Sequence, residues 1–143
     1  MADSHDHLGS CHCGTIQVRL RLSKMPEECA LRACSCSFCR AHNTRMVADL
    51  GGEVEISAKD WSQVAAYRFG SRTADFLLCR QCGVFIAALC ETSSGLRAVV
   101  NANCLAERAR FTQTPADVDF EGEPTISRLA RRAQTWMPAI ITR

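Results

Sequence analysis

Three cysteines lie within six residues in the stretch Ala33-Cys34-Ser35-Cys36-Ser37-Phe38-Cys39-Arg40. No single face of a regular helix or strand holds all three, so burial in an apolar core explains them poorly. If the backbone turns here, the three sulfur atoms can meet at one point. Zn²⁺ favours thiolate ligands, and a zinc ion held by three protein groups keeps a fourth position for water or substrate. The stretch therefore predicts an open zinc site of the catalytic type.

Two further cysteine pairs lie next to strand-like sequence. Cys79 and Cys82 belong to a C-x-x-C-G turn between two apolar runs, which is typical of a zinc knuckle. A redox-active C-x-x-C would instead be expected between a strand and a helix. Cys11 and Cys13 precede the alternating run 16–22, which predicts a half-buried strand. Because cysteines one residue apart face opposite sides of a strand, their sharing of a metal ion would require a local turn.

Ligand count favours one division of these seven cysteines between two metal sites. A closed, structural zinc site would use Cys11, Cys13, Cys79 and Cys82. An open site would then keep its three ligands, Cys34, Cys36 and Cys39. The alternative division joins the C-x-x-C pair to two cysteines of the central stretch. It would leave one cysteine of that stretch, and the N-terminal pair, without a complete set of ligands.

Polar residues that follow the central stretch are candidates for substrate binding. Arg40 and Arg45 could bind carboxylates, because a guanidinium pairs with a carboxylate through two parallel hydrogen bonds. His42 could act as a fourth ligand or as an acid-base group. Simple solvation of these charges is the alternative. Cations at this place would also offset the negative charge that three thiolates leave on one zinc ion.

Composition indicates a globular chain of single-domain size. Of 143 residues, 47% are hydrophobic and 22% are charged, which is ordinary for a folded protein. The formal net charge of +2 argues against nonspecific nucleic-acid binding, which depends on clustered positive charge. No apolar run reaches membrane-spanning length, and the polar start of the chain does not resemble a signal peptide. We therefore expect a cytoplasmic protein in which the high cysteine content, ten in all, reflects metal binding by the seven motif cysteines rather than disulfides. The sequence leaves the oligomeric state open.

The chain divides into three predicted segments. Residues 1–8 are expected to form a flexible tail, and residues 9–105 a zinc-binding β domain. Residues 106–143 are expected to form an extension whose amphipathic helix ends before Pro138 and packs on the same domain. One face of that helix is basic, with Arg128, Arg131 and Arg132, and the simplest interpretation is an ordinary surface helix.

The order and spacing of the cysteine motifs resemble those of the glutathione-dependent formaldehyde-activating enzyme family, to which centromere-protein-V-like proteins are related. The resemblance covers about residues 9–105. It implies a mainly β, single-domain, tent-like antiparallel fold, here with a short C-terminal helix. Ser35 stands where the family usually has histidine.

The resemblance also implies a function. It predicts one structural zinc site with four cysteine ligands and one labile catalytic site at Cys34, Cys36 and Cys39. The expected activity is that of a carbon–sulfur lyase acting on a thiol–aldehyde adduct such as S-hydroxymethylglutathione, formed from glutathione and formaldehyde. Two alternatives remain, a non-catalytic zinc-binding module for a protein or nucleic-acid partner and a thiol redox sensor.

Overall fold

The computed structural model describes residues 6–143, which form a branched sheet and two α-helices. The strands are β1 (Asp6–Ser10), β2 (Ile16–Arg21), β3 (Leu31–Cys34), β4 (Met46–Val47), β5 (Glu53–Ala58), β6 (Val64–Tyr67), β7 (Asp75–Cys79), β8 (Phe85–Thr92), β9 (Gly95–Asn101), β10 (Ala116–Val118) and β11 (Met137–Thr142). The helices are α1 (Ser37–His42) and α2 (Thr125–Thr135). No helix in this part of the chain is both long and apolar enough to cross a membrane.

The sheet branches at β9. One edge of β9 pairs with β8, and the sheet continues from there through β7 to β6. The other edge of β9 pairs with β11 in the first half of β9 and with β4 at the end of β9. Most neighbouring strands are antiparallel, but the pairs β11–β5 and β10–β3 are parallel. The prediction of a mainly β single domain is confirmed, and the sheet is mixed rather than wholly antiparallel.

The burial pattern follows the position of each strand. In β2, buried Ile16, Val18 and Leu20 alternate with exposed polar residues, because this part of the sheet has one wet face. β8 differs, since its first six residues are all buried. Ile86 belongs to one apolar cluster and Phe85 to a second, so β8 has packed side chains on both faces. Helix α2 covers the second cluster.

The C-terminal region contains a strand that the helical spacing of the sequence did not predict. Helix α2 ends at Thr135, and Met137 already belongs to β11. This strand lies between β5 and β9, so the last residues of the chain occupy the middle of the sheet. The sequence also predicts neither β10, which lies in the extension before α2, nor α1.

The first strand begins inside the predicted tail. Residues 1–5 of that tail lie outside the described part of the chain, whereas Asp6–Ser10 form β1. His7 is buried, with its Nδ1 atom 3.0 Å from Oε1 of Glu107. The contact joins the predicted tail to the extension, and the pairing of β11 with β5 and β9 joins the extension to the predicted β domain.

Truncation of Met137 should show that β11 is part of the core. Met137 has no exposed surface, whereas Ile140 in the same strand is 45% exposed. We expect Met137→Ala to lower the free energy of unfolding by about 2 to 5 kcal/mol, because it leaves a cavity. Ile140→Ala should cost about 1 kcal/mol or less. Equal losses in urea unfolding curves would show that β11 is not packed as described.

Candidate metal centres and the adjoining cavity

Four cysteines from two distant turns form the first cluster, which we call the four-cysteine cluster. The Sγ atoms of Cys11, Cys13, Cys79 and Cys82 all lie within 4.8 Å of one another. Cys13 Sγ is 3.8 Å from Cys11 Sγ and 3.6 Å from Cys79 Sγ. Sulfur atoms at tetrahedral positions about 2.3 Å from zinc would be about 3.8 Å apart. The donor atoms and their spacing therefore fit a zinc ion.

Glycine allows both turns of this cluster. Gly14 has a φ of +84° and Gly83 a φ of +79°, a region that glycine enters at no steric cost. The first turn lets the Ile16 N–H donate a hydrogen bond of 3.2 Å to Cys11 Sγ. The local turn that Cys11 and Cys13 were predicted to need is present.

The thiols of the four-cysteine cluster differ in pKa. Burial raises the pKa of the Cys11 thiol to about 11. The hydrogen bond from the Thr15 hydroxyl lowers the pKa of Cys13 to about 6. Because the buried sulfur resists ionisation, a bound cation is needed for all four ligands to be thiolates at neutral pH.

Three cysteines at the junction of β3 and α1 form the second cluster, which we call the three-cysteine cluster. Their Sγ atoms also lie within 4.8 Å of one another. Cys34 ends β3, Cys36 is the N-terminal cap of α1, and Cys39 lies in its first turn. The Cys39 N–H donates to Cys36 Sγ over 3.4 Å, which satisfies an amide at the start of the helix. The bend between strand and helix is what brings the sulfurs together.

The three-cysteine cluster favours a thiolate at Cys34. The hydrogen bond from the Cys39 thiol lowers the pKa of Cys34 to about 5, although burial opposes this change. The positive charge of Arg131 contributes to the lowering. The same hydrogen bond raises the pKa of Cys39. The cluster therefore holds a negative charge at neutral pH even before any metal binds.

A cavity of about 570 Å³ opens beside the three-cysteine cluster, and all three of its cysteines line the wall. This volume lies within the range of small-molecule sites, roughly 300 to 1,000 Å³. Part of the wall is apolar and includes Phe76, Val99 and Trp136. Within residues 6–143, no member of the four-cysteine cluster lines this cavity. Only the three-cysteine cluster is placed to meet a ligand there.

Five arginines line the same cavity: Arg32, Arg40, Arg128, Arg131 and Arg132. Three of them come from the basic face of α2, so this face is directed at the cavity and is not an ordinary outer surface. Two of these share one carboxylate, since Glu123 Oε1 lies 3.1 Å from Arg131 Nη2 and 3.7 Å from Arg128 Nε. The Arg131 guanidinium also lies 3.5 Å from the centroid of the Phe120 ring.

Arg132 is the most deeply buried of the five, with 6% of its surface exposed. Its Nη1 atom donates to Thr73 Oγ1 over 2.8 Å and lies 3.5 Å from Cys90 Sγ. The guanidinium lies 4.8 Å from the Trp136 ring centroid. Its Nε atom is buried without a hydrogen-bond partner in the described part of the chain. Burial lowers the pKa of Arg132, as expected for a charge removed from water.

The predicted substrate-binding residues do not all meet at the cavity. Arg40 lines it and is exposed. Arg45 instead donates hydrogen bonds to Asn103 Oδ1, over 2.7 Å, and to the Phe111 carbonyl oxygen, over 2.9 Å. The His42 ring packs against the Phe38 ring at a tilt of 39°, with centroids 4.5 Å apart. Among residues 6–143, neither Arg45 nor His42 belongs to the cavity wall.

Sequence reasoning missed the arginines that do line the cavity, apart from Arg40. The spacing of Arg128, Arg131 and Arg132 correctly placed them on one helix face. Nothing in that spacing indicates what the face covers. Arg32 gave no signal, because a single arginine in a short strand is indistinguishable from a solvated residue.

Comparison with known proteins identifies a family and a similar fold. The family model described as "Glutathione-dependent formaldehyde-activating enzyme" matches residues 6–119. A structural-genomics crystal structure of a Rhodobacter sphaeroides protein is similar in fold, with a TM-score of 0.57 and 24% sequence identity. The alignment covers 78% of this chain and 99% of that one. None of the curated proteins compared with the chain matches it. Because the family model spans most of the sequence, this chain belongs to the glutathione-dependent formaldehyde-activating enzyme family.

Proposed function

We propose that the protein is a zinc-dependent carbon–sulfur lyase or synthase acting on a thiol–aldehyde adduct such as S-hydroxymethylglutathione. The observation that carries the proposal is the position of the three-cysteine cluster in the wall of a ligand-sized cavity. A purely structural zinc site would be expected to have a fourth protein ligand and no adjoining cavity. The name of the family supports glutathione and formaldehyde as the reacting molecules.

The two clusters are proposed to have different roles. The four-cysteine cluster has a full set of ligands and would hold a structural zinc ion. Cys34, Cys36 and Cys39 would hold a more labile zinc ion as catalytic ligands. Zinc bound there would lower the pKa of a thiol or polarise an aldehyde oxygen.

The chain itself would bind and orient the reactants. Arg40 lies at an exposed part of the cavity wall, where it can bind a substrate carboxylate. The apolar wall would remove water from around the reacting atoms. In the synthetic direction, the glutathione thiol loses its proton to solvent, its sulfur bonds to the carbonyl carbon, the C=O π electrons move to oxygen, and that oxygen takes a proton from solvent. In the lyase direction, the hydroxyl loses its proton, the oxygen electrons re-form C=O, the carbon–sulfur bond breaks with its electron pair passing to sulfur, and the thiolate takes a proton from solvent.

The alternatives gain less support from the structure. The basic face of α2 was the sequence feature that favoured a binding module for a macromolecule, but its three arginines line the cavity. A redox sensor remains as an outcome of the tests below, because Cys34 and Cys39 are close enough to share a proton. All of these roles need reduced thiols, so we propose that the protein works in the cytoplasm.

Zinc content should separate these functions. We expect two zinc ions per chain, one of which is lost readily to a chelator, measured by elemental analysis. Cys39→Ala should lose the labile ion and remain folded. Cys82→Ala should lose the structural ion and unfold, because a structural zinc site contributes about 10 kcal/mol or more, comparable with the whole stability of a domain.

Cys104→Ala is the matched control, since this cysteine belongs to neither cluster. It should keep both zinc ions and its melting temperature. A Cys82→Ala variant with full zinc content would contradict the structural assignment. One tight zinc ion together with a reversible disulfide in the three-cysteine cluster would favour the redox sensor.

Catalysis can be measured directly by exchange NMR with ¹³C-labelled formaldehyde and glutathione. We expect the zinc-loaded protein to speed formation and breakdown of the adduct, and Cys39→Ala to lower the rate to that of the uncatalysed reaction. The reason is that the variant lacks one of three ligands at the cavity. Cys104→Ala should keep the wild-type rate. Loss of rate in both variants would implicate general destabilisation instead.

The pKa of Cys34 predicts its reactivity after the labile zinc is removed. Because its pKa is lowered to about 5, Cys34 should be a thiolate above that pH and be protonated below it. Alkylation by iodoacetamide, followed by peptide mass spectrometry, should be nearly constant between about pH 6 and 9 and fall near about pH 5. An ordinary cysteine would gain reactivity up to about pH 8.5. Such a rise at Cys34 would contradict the assignment, and Cys29, whose pKa burial raises to about 11, is the unreactive control.

A further inference from the structure

The charges around the cavity do not balance within the chain. Of the five cavity arginines, Arg128 and Arg131 have a carboxylate partner in Glu123. Within residues 6–143, the other three make no ion pair. The carboxylates that line the cavity, Asp119 and Glu121, are both exposed and therefore solvated.

Two of the unpaired arginines are withdrawn from solvent. Arg132 is 94% buried, with only a hydroxyl and a thiol as hydrogen-bond partners. Arg32, in β3, is partly buried and makes no side-chain hydrogen bond in the described part of the chain. Removing a guanidinium from water without a carboxylate is costly. An anion that enters the cavity would recover that cost.

We infer that Arg32 and Arg132, which both line the cavity without a carboxylate partner, give it an anion subsite that takes a carboxylate of the thiol substrate. A guanidinium presents its N–H groups in a planar fork that matches a carboxylate, so each of these arginines can hold one such group, and glutathione carries two. The inference rests on the proposed function for the thiol, but the subsite itself requires only the carboxylate. The substrate class is therefore a thiol that carries a negative charge, rather than thiols in general.

Helix α2 contributes Arg132 to this subsite. The family match ends at residue 119, before α2 begins at Thr125. Arg132 therefore comes from a segment outside the family model, whereas Arg32 and the three cysteines lie inside it. Substrate charge would be selected jointly by the segment that the family model matches and by the segment that follows it.

Calorimetric titration of the zinc-loaded full chain at fixed salt tests the subsite with three probes. Glutathione carries thiol and carboxylates, its diethyl ester lacks free carboxylates, and S-methylglutathione lacks the thiol. We expect Arg132→Gln and Arg32→Gln each to raise the Kd for glutathione about tenfold or more, the scale of one charge-assisted hydrogen bond. The Kd for the diethyl ester should change by less than about twofold, because it has no carboxylate to lose.

Arg108→Gln is the matched control, since Arg108 is exposed and lies outside the cavity wall. It should leave all three affinities unchanged. Circular dichroism melting will show whether each variant is folded. If Arg132→Gln fails to fold, Arg32→Gln decides the test, because its replacement removes no side-chain hydrogen bond found among residues 6–143.

The outcomes separate this inference from the proposed function. Unchanged glutathione affinity in the folded variants would overturn the subsite while leaving the thiol chemistry in place. Binding of S-methylglutathione that depends on Arg132, together with no difference between it and glutathione and no catalysed exchange, would support the subsite and overturn the proposed function. Failure of all three probes to bind would overturn both.

Discussion

Convergence of sulfur atoms is the constraint on which the structure depends. Thiolates that lie within 4.8 Å of one another repel strongly, so each cluster must share protons or bind a cation. In the four-cysteine cluster, this need to share protons or bind a cation joins residues that are 66 positions apart in sequence, Cys13 and Cys79. A cation there would fasten the turn before β2 to the turn after β7. These turns belong to opposite branches of the sheet, which is why metal binding and folding are expected to be linked.

The surroundings of the two clusters differ in a way that follows from their charge. Three thiolates and one zinc ion leave one negative charge, and Arg131 faces Cys34 closely enough to stabilise its thiolate. Glu123 holds Arg131 and Arg128 in place and reduces their net charge. Arg132 differs from these two, because it is buried and has no carboxylate partner within residues 6–143. The apolar cluster under α2 fixes this arrangement, because the helix cannot shift without exposing Trp136 and Leu129.

Local features could be predicted from the sequence where a short pattern determines them. The alternation in β2 and the C-x-x-C-G turn at Gly83 each fix a backbone conformation within a few residues. The grouping of seven cysteines followed from ligand count alone.

What could not be predicted depends on partners distant in sequence. Residues 137–142 become a strand because β5 and β9 leave edges for them to pair with, and the apolar spacing through Met137 is compatible with a helix. Arg45 was predicted at the site because it is close in sequence, whereas Asn103 and Phe111 hold it elsewhere.

The family match ends at residue 119, which lies between the clustered cysteines and the cavity arginines of α2. All seven clustered cysteines lie within residues 6–119, so both candidate metal sites belong to the part of the chain that the family model matches. Three of the five cavity arginines lie beyond it, on a helix that is attached to the sheet through β8, β9 and the following strand β11. Arg132 of this helix can change while both cysteine clusters keep their ligands, whereas a change of Arg131 would also remove a positive charge that favours the Cys34 thiolate. Under the proposed function, sequence differences in this segment would change substrate selection by the cavity more than the reaction at the three-cysteine cluster.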